Sequence, residues 1–128
     1  MIHKLNMAAK IAINEQRKIS SIQEEFNMVF PYLRMEFFSK PIKPGIPAVK
    51  KLIKQTNKTL GEFSSVHDKG DITVTPSMTV AGLEDSFKEM FGLGVKIFRK
   101  SGKAWLETTI TDIWTLEEQN HQGEDLSR

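Results

Sequence analysis

The strongest constraint in this sequence of 128 residues is a pattern that returns after 61 positions. Laid over Asp71–Phe91 without a gap, Lys10–Phe30 matches Ile11 with Ile72, Ile13 with Val74 and Ile19 with Val80. Ile22 then falls on Leu83, Phe26 on Phe87 and Phe30 on Phe91, while Met28 on Glu89 is a mismatch. Apolar positions recurring in register point to one supersecondary unit used twice, each copy too small to bury its own face. Ile11 and Ile13, like Ile72 and Val74, alternate with small or polar residues and read as a half-buried strand. The following stripes, Ile19-Ile22-Phe26-Phe30 and Val80-Leu83-Phe87-Phe91, have the spacing of one helix face. Ser20 to Gln23 form a Ser-x-x-Gln capping box for the first helix, and Thr79 caps the second. Pro31 and Gly92 stop the helices at the aligned position by different chemistry. The competing assignment extends the first helix backwards to absorb residues 4–15.

Each copy continues into a second strand, Tyr32–Phe38 and Gly94–Arg99. In the second copy Ser101-Gly102 marks a hairpin turn, which sets Phe98 opposite Trp105, Ile97 opposite Leu106 and Lys96 opposite Glu107. Thr59-Leu60-Gly61-Glu62 and Thr115-Leu116-Glu117-Glu118 each read as a capped single helical turn. The expected fold is α+β: a two-layer sandwich with one mixed sheet and helices on one face. It spans 1–128 as a single domain of two β-α-β(β) repeats, about 10–66 and about 70–120, with a frayed tail at 121–128.

Composition narrows the chemistry. The chain has no cysteine, which excludes disulfide frameworks, zinc fingers, iron–sulfur clusters and thiol nucleophiles. The first ten residues lack the apolar region of an export signal, and no run approaches a membrane-spanning length. Residue 2 is Ile rather than the glycine that myristoylation needs, so a cytoplasmic protein is expected. The net charge of +2 conceals an asymmetry. Residues 1–64 carry 11 basic and 5 acidic groups, and residues 65–128 carry 7 basic and 11 acidic ones. Such halves attract one another, within a molecule or between molecules.

Two features stand out as candidate contact surfaces. Strict alternation puts Val95, Ile97, Ala104 and Leu106 toward the helices, and Phe98 and Trp105 on the opposite face with Lys96, Lys100, Lys103 and Glu107. An aromatic pair ringed by cations suits a protein partner or stacked bases; alternatively a neighbouring segment covers Trp105. The insertion 39–58 holds Lys40, Lys43, Lys50, Lys51, Lys54 and Lys58 and no acid, with Pro41, Pro44 and Pro47 in its first half. Val49, Leu52 and Ile53 would face inward from a short basic turn over Ala48–Lys54. Phosphate backbones or acidic partners suit these lysines, as does a plain solvated loop, and no Arg fork accompanies them.

Catalytic constellations are weak. Ser64, His67 and Asp68 are sequence neighbours and cannot form a triad. His3, His67 and His121 lack ligand spacing, and Gly92-Leu93-Gly94 is no phosphate loop. Glu107 and Asp112 are the carboxylates nearest the aromatic strand.

Val95–Thr109, Thr111-Asp112 and Trp114–Asn120, with the preceding Thr79–Phe91 helix, resemble a family of bacterial conserved hypothetical proteins over roughly residues 70–123. Ile22–Phe26 and Phe37-Phe38 extend the match, while Ile113 stands where the family pattern is polar or acidic. The resemblance implies a small stand-alone bacterial protein; it implies no activity, cofactor, metal or catalytic residue. The reading favoured by the residues is a non-catalytic interaction or regulatory module, acting through the aromatic/basic face or by self-association. Single-stranded nucleic-acid binding through the lysines and aromatics is the alternative.

Overall fold

The computed structural model describes residues 9–41, 51–67 and 70–127. β1 (Ile11–Ile13), α1 (Ile19–Val29) and β2 (Leu33–Phe38) are followed by the single turn α2 (Leu60–Phe63). β3 (Ile72–Val74), α3 (Val80–Phe91) and β4 (Gly94–Ser101) come next in the same order, then β5 (Ala104–Glu107) and α4 (Leu116–Leu126). Residues 11–13 are thus strand, and the first helix is not extended backwards through them.

The class is α+β, but the strands form two antiparallel sheets instead of one mixed sheet. β1 pairs with β3, and β2, β4 and β5 form a three-stranded sheet in that order. The strands of one β-α-β segment pair with those of the other and not among themselves. Ala12 faces Thr73 in the first ladder and Met35 faces Ile97 in the second. This arrangement turns Ile11, Ile13, Ile72 and Val74 together into the core, where all four are buried. The constant offset gains one residue between the ladders because α3 is 12 residues long and α1 is 11. Gly92, in the left-handed region at φ 67, caps α3 as expected. Phe30 is the C-cap of α1, so Pro31 lies beyond the helix end.

The helix starts are held by backbone and not by the expected Ser20–Gln23 box. Four N–H groups at a helix start lack an intrahelical partner. Here Ile19 and Ser20 donate theirs to the carbonyls of Lys58 (3.0 Å) and Thr56 (2.8 Å), while Leu60 and Gly61 donate to Arg17 and Glu15 (both 2.9 Å). α3 and α4 repeat the exchange: Val80 and Ala81 donate to Trp114 and Asp112, and Leu116 and Glu117 to Met78 and Pro76. Each N-terminus therefore satisfies the other. Gln23 is free to donate to the Met35 carbonyl at 2.9 Å, and Asn27 to that of Leu33, which covers the outer edge of β2. Thr79 does cap α3, accepting from Gly82 N–H at 3.0 Å. Thr115 and Glu118 form a full capping box for α4.

One buried cluster joins the helical stripes to Leu33, Met35 and Phe37 of β2 and Val95 and Ile97 of β4. Phe37 meets Phe87 edge-to-face at 5.4 Å between centroids. α4 lies on this same inner face and extends through Leu126, so the tail expected to fray is mostly helix. It is anchored without an apolar stripe. Gln119 is fully buried and accepts from Arg99 at 2.8 Å, and Asn120 accepts from Tyr32 N–H at 2.8 Å.

The hairpin register also differs. Ser101 pairs with Ala104, Lys100 with Trp105, Arg99 with Leu106 and Phe98 with Glu107. Gly102 sits at φ 61 and no described non-glycine residue has positive φ. Gly102-Lys103 are therefore the central residues, with glycine first, as a type II′ turn requires. The pairing slips by two residues, an even number, so every side chain keeps its expected face. Ala104 and Leu106 nevertheless remain exposed, Leu106 at 46%. β5 lies at the sheet margin, whereas the helices pack on β2 and β4.

Candidate interaction face

The outer face of the three-stranded sheet is built from alternate residues of each strand: Arg34, Glu36 and Phe38 on β2, Lys96, Phe98 and Lys100 on β4, Trp105 and Glu107 on β5. The basic insertion contributes a further piece. Phe38 bridges to Leu52, Ile53 N–H donates to the Phe37 carbonyl (2.9 Å), and Ser39 N–H to that of Lys51 (2.8 Å). Residues 51–53 therefore extend the sheet beyond β2. Ile53 turns inward and is 5% exposed, as expected.

Phe38, Leu52, Phe98 and Trp105 line a groove of about 500 Å³ on this face, with Arg34, Glu36 and Glu107 as its polar groups. Trp105 is half-buried. The Arg34 guanidinium lies 4.8 Å from its ring centroid, a cation–π contact that fixes the indole across β4. A second hollow of about 520 Å³ shares Arg34, Glu36 and Trp105 and runs past the β2 edge to Gln23, Glu24 and Asn27 of α1. Burial pushes the Glu36 carboxyl above its ordinary range, and Arg34 pulls the other way.

The two sets of sequence candidates fare differently. Phe98 and Trp105 are brought together on one face. Lys100 is cross-strand from Trp105, Lys103 is exposed in the turn, and the Lys96 ammonium donates to Thr109 Oγ1 at 3.1 Å. Lys40, Lys54 and Lys58 are exposed and Lys51 is half-buried; Lys43, Lys50 and Val49 lie outside the described residues, as does His3. Arg34, Glu36 and Phe38 were not singled out from sequence, although the alternation of β2 places all three on one face. Leu52, expected to face inward, instead lies across from Phe38 and lines the outer groove, because residues 51–53 run as an extended strand-like segment whose side chains alternate.

Of the remaining candidates for chemistry, Asp68 lies outside the described residues and the others are used structurally. The Ser64 hydroxyl donates to the Phe91 carbonyl at 2.7 Å, and His67 pairs with Glu15. His121 faces Asp125 one helical turn away. Among the described residues no three metal-ligating side chains converge, and no helix is long and apolar enough to cross a membrane.

Asp112 and Glu107 do approach one group, Glu84. Burial pushes its carboxyl up to about 7; Lys96 opposes this, while Asp112, Asp85 and Glu107 add to it. Between the ordinary carboxylate value of 4.5 and about 7, folded Glu84 holds a proton that the unfolded chain has released. Stability therefore falls as pH rises through that window and levels off above it. Glu84→Gln is expected to stabilise the protein by about 1 kcal/mol at higher pH, the shift being discounted for solvent screening. Urea unfolding across the window should show the slope in the wild type and a flatter line in the variant.

Comparison with family models, with curated proteins and with solved structures returned no match.

Proposed function

We propose that this chain is a small cytoplasmic bacterial interaction module whose contact surface is the outer face of the three-stranded sheet. The observation that carries this reading is the Phe38-Leu52-Phe98-Trp105 groove, open to solvent and bordered by Arg34, Glu36 and Glu107. An apolar centre with a polar rim, anchored by Trp and Arg, has the anatomy of a protein contact site. The bacterial assignment rests on the family resemblance of residues 70–123, and the cytoplasmic one on the cysteine-free composition. The reciprocal pairing of the two β-α-β segments supports reading them as copies of one unit. Single-stranded nucleic acid is the weaker alternative, because Glu36 and Glu107 stand where a phosphate chain would run.

Replacing Phe98 and Trp105 together by Ser removes two walls of the groove and none of the fully buried core. The double variant is expected to keep its circular dichroism spectrum and to bind its partner at least about tenfold more weakly. Affinity capture from source cells, followed by titration of the retained component, measures this. Unchanged affinity would sink the reading.

A further inference from the structure

The three-stranded sheet has two edges, and they are finished differently. At β2 the outward carbonyls of Leu33, Met35 and Phe37 accept from Asn27, Gln23 and Ile53. β5 forms the other edge. Lys100 N–H donates to the Tyr32 carbonyl and Thr108 N–H to that of Ile97, which fixes the phase of the β4–β5 ladder. Ala104 and Leu106 thus turn their N–H and C=O groups to β4, and Trp105 and Glu107 turn theirs away from it. Among the described residues nothing bonds to those outward groups. The strand is also thinly covered: Ala104, Leu106 and Glu107 are exposed and Trp105 is half-buried.

An open edge accepts an extended segment through backbone hydrogen bonds, and the side chains decide which segment fits. The residues of β5 fit themselves. Consider two β5 strands paired antiparallel with the twofold axis at Trp105. Trp105 of each copy then exchanges N–H and C=O bonds with the same residue of the other. Lys103 falls opposite Glu107 and Ala104 opposite Leu106, each twice. Unlike charges meet on the outer side, and the exposed apolar residues cover one another on the inner side. An axis at Glu107 would set two carboxylates opposite one another, and an axis at Leu106 would leave Lys103 facing Thr109. The helices pack on β2 and β4, so the approach to β5 is clear.

We propose that two copies of this chain associate edge to edge through β5, joining their three-stranded sheets into one continuous sheet. The inference goes beyond the contact face described above, because it uses the backbone edge and the Lys103–Glu107 pairs, and Phe98 takes no part.

Sedimentation velocity and residue-resolved amide exchange test it. Wild type should dimerise at high micromolar concentration, and exchange of the Trp105 and Glu107 amides should slow at least about tenfold as dimer comes to predominate. The Leu106 amide, already paired with β4, should be slow throughout. Lys103→Glu alone and Glu107→Lys alone set like charges opposite and should each dimerise at least about tenfold more weakly. Their equimolar mixture, and the chain carrying both substitutions, should recover dimer, because each restores unlike pairs. Circular dichroism verifies folding, and both side chains are exposed. A monomeric wild type, a dimer whose Trp105 and Glu107 amides stay fast, or charge variants that neither weaken nor rescue association would overturn the proposal. Phe98→Ser separates this dimer from the contact face: it removes a groove wall and should weaken partner capture with dimerisation intact. Loss of the dimer in that variant would move self-association to the face and overturn the edge pairing.

Discussion

Phe87→Ala is expected to lower the free energy of unfolding by about 3–5 kcal/mol, the largest effect of any single substitution considered. Phe87 is fully buried in α3 and touches both layers of the core. Its ring meets Phe37 of β2 edge-to-face at 5.4 Å and Phe91 of its own helix at 5.8 Å. Truncation removes the transfer free energy of the ring and leaves a cavity that strand β2 and helix α3 cannot both close. Small domains have about 5–15 kcal/mol in total, so the variant should unfold at much lower urea with an unchanged dependence on denaturant. A loss below about 1 kcal/mol would mean that the two segments do not share one cooperative core.

Gly123→Ala is the second large effect, and its sign is the informative part. In an exposed helix interior alanine is favoured over glycine by about 1 kcal/mol. Here a Cβ at position 123 would lie 2.8 Å from Tyr32 Cβ and 3.1 Å from the Tyr32 carbonyl oxygen. Both belong to the segment entering β2, whose backbone is held by the bonds from Tyr32 N–H to Asn120 and from Lys100 N–H to the Tyr32 carbonyl. It has little freedom to retreat. The clash should outweigh the propensity gain and leave a net destabilisation of about 1–2 kcal/mol. Loss of α4 docking would also release Arg99 from Gln119, so thermal unfolding monitored by Trp114 fluorescence is the suitable measurement. A stabilised variant would show that α4 is not pressed against the sheet.

Local pattern determined a good deal of this protein. Strands at Ile11–Ile13 and Ile72–Val74, both amphipathic helices, the Thr79 and Gly92 caps and the shared outer face of Phe98 and Trp105 all follow from residue spacing and backbone preference. These are properties of a few consecutive residues, so the sequence alone expresses them. Tertiary structure decided the rest. Which strands pair, and hence two antiparallel sheets instead of one mixed sheet, depends on burying four short-strand side chains at once. The start of α1 depends on carbonyls of Thr56 and Lys58, nearly forty residues away. α4 was illegible beyond its cap because it docks through Gln119, Asn120 and Gly123, which show no hydrophobic period. The groove needed Leu52 brought back beside Phe38 from beyond the proline-rich stretch, a juxtaposition that only the packed fold creates.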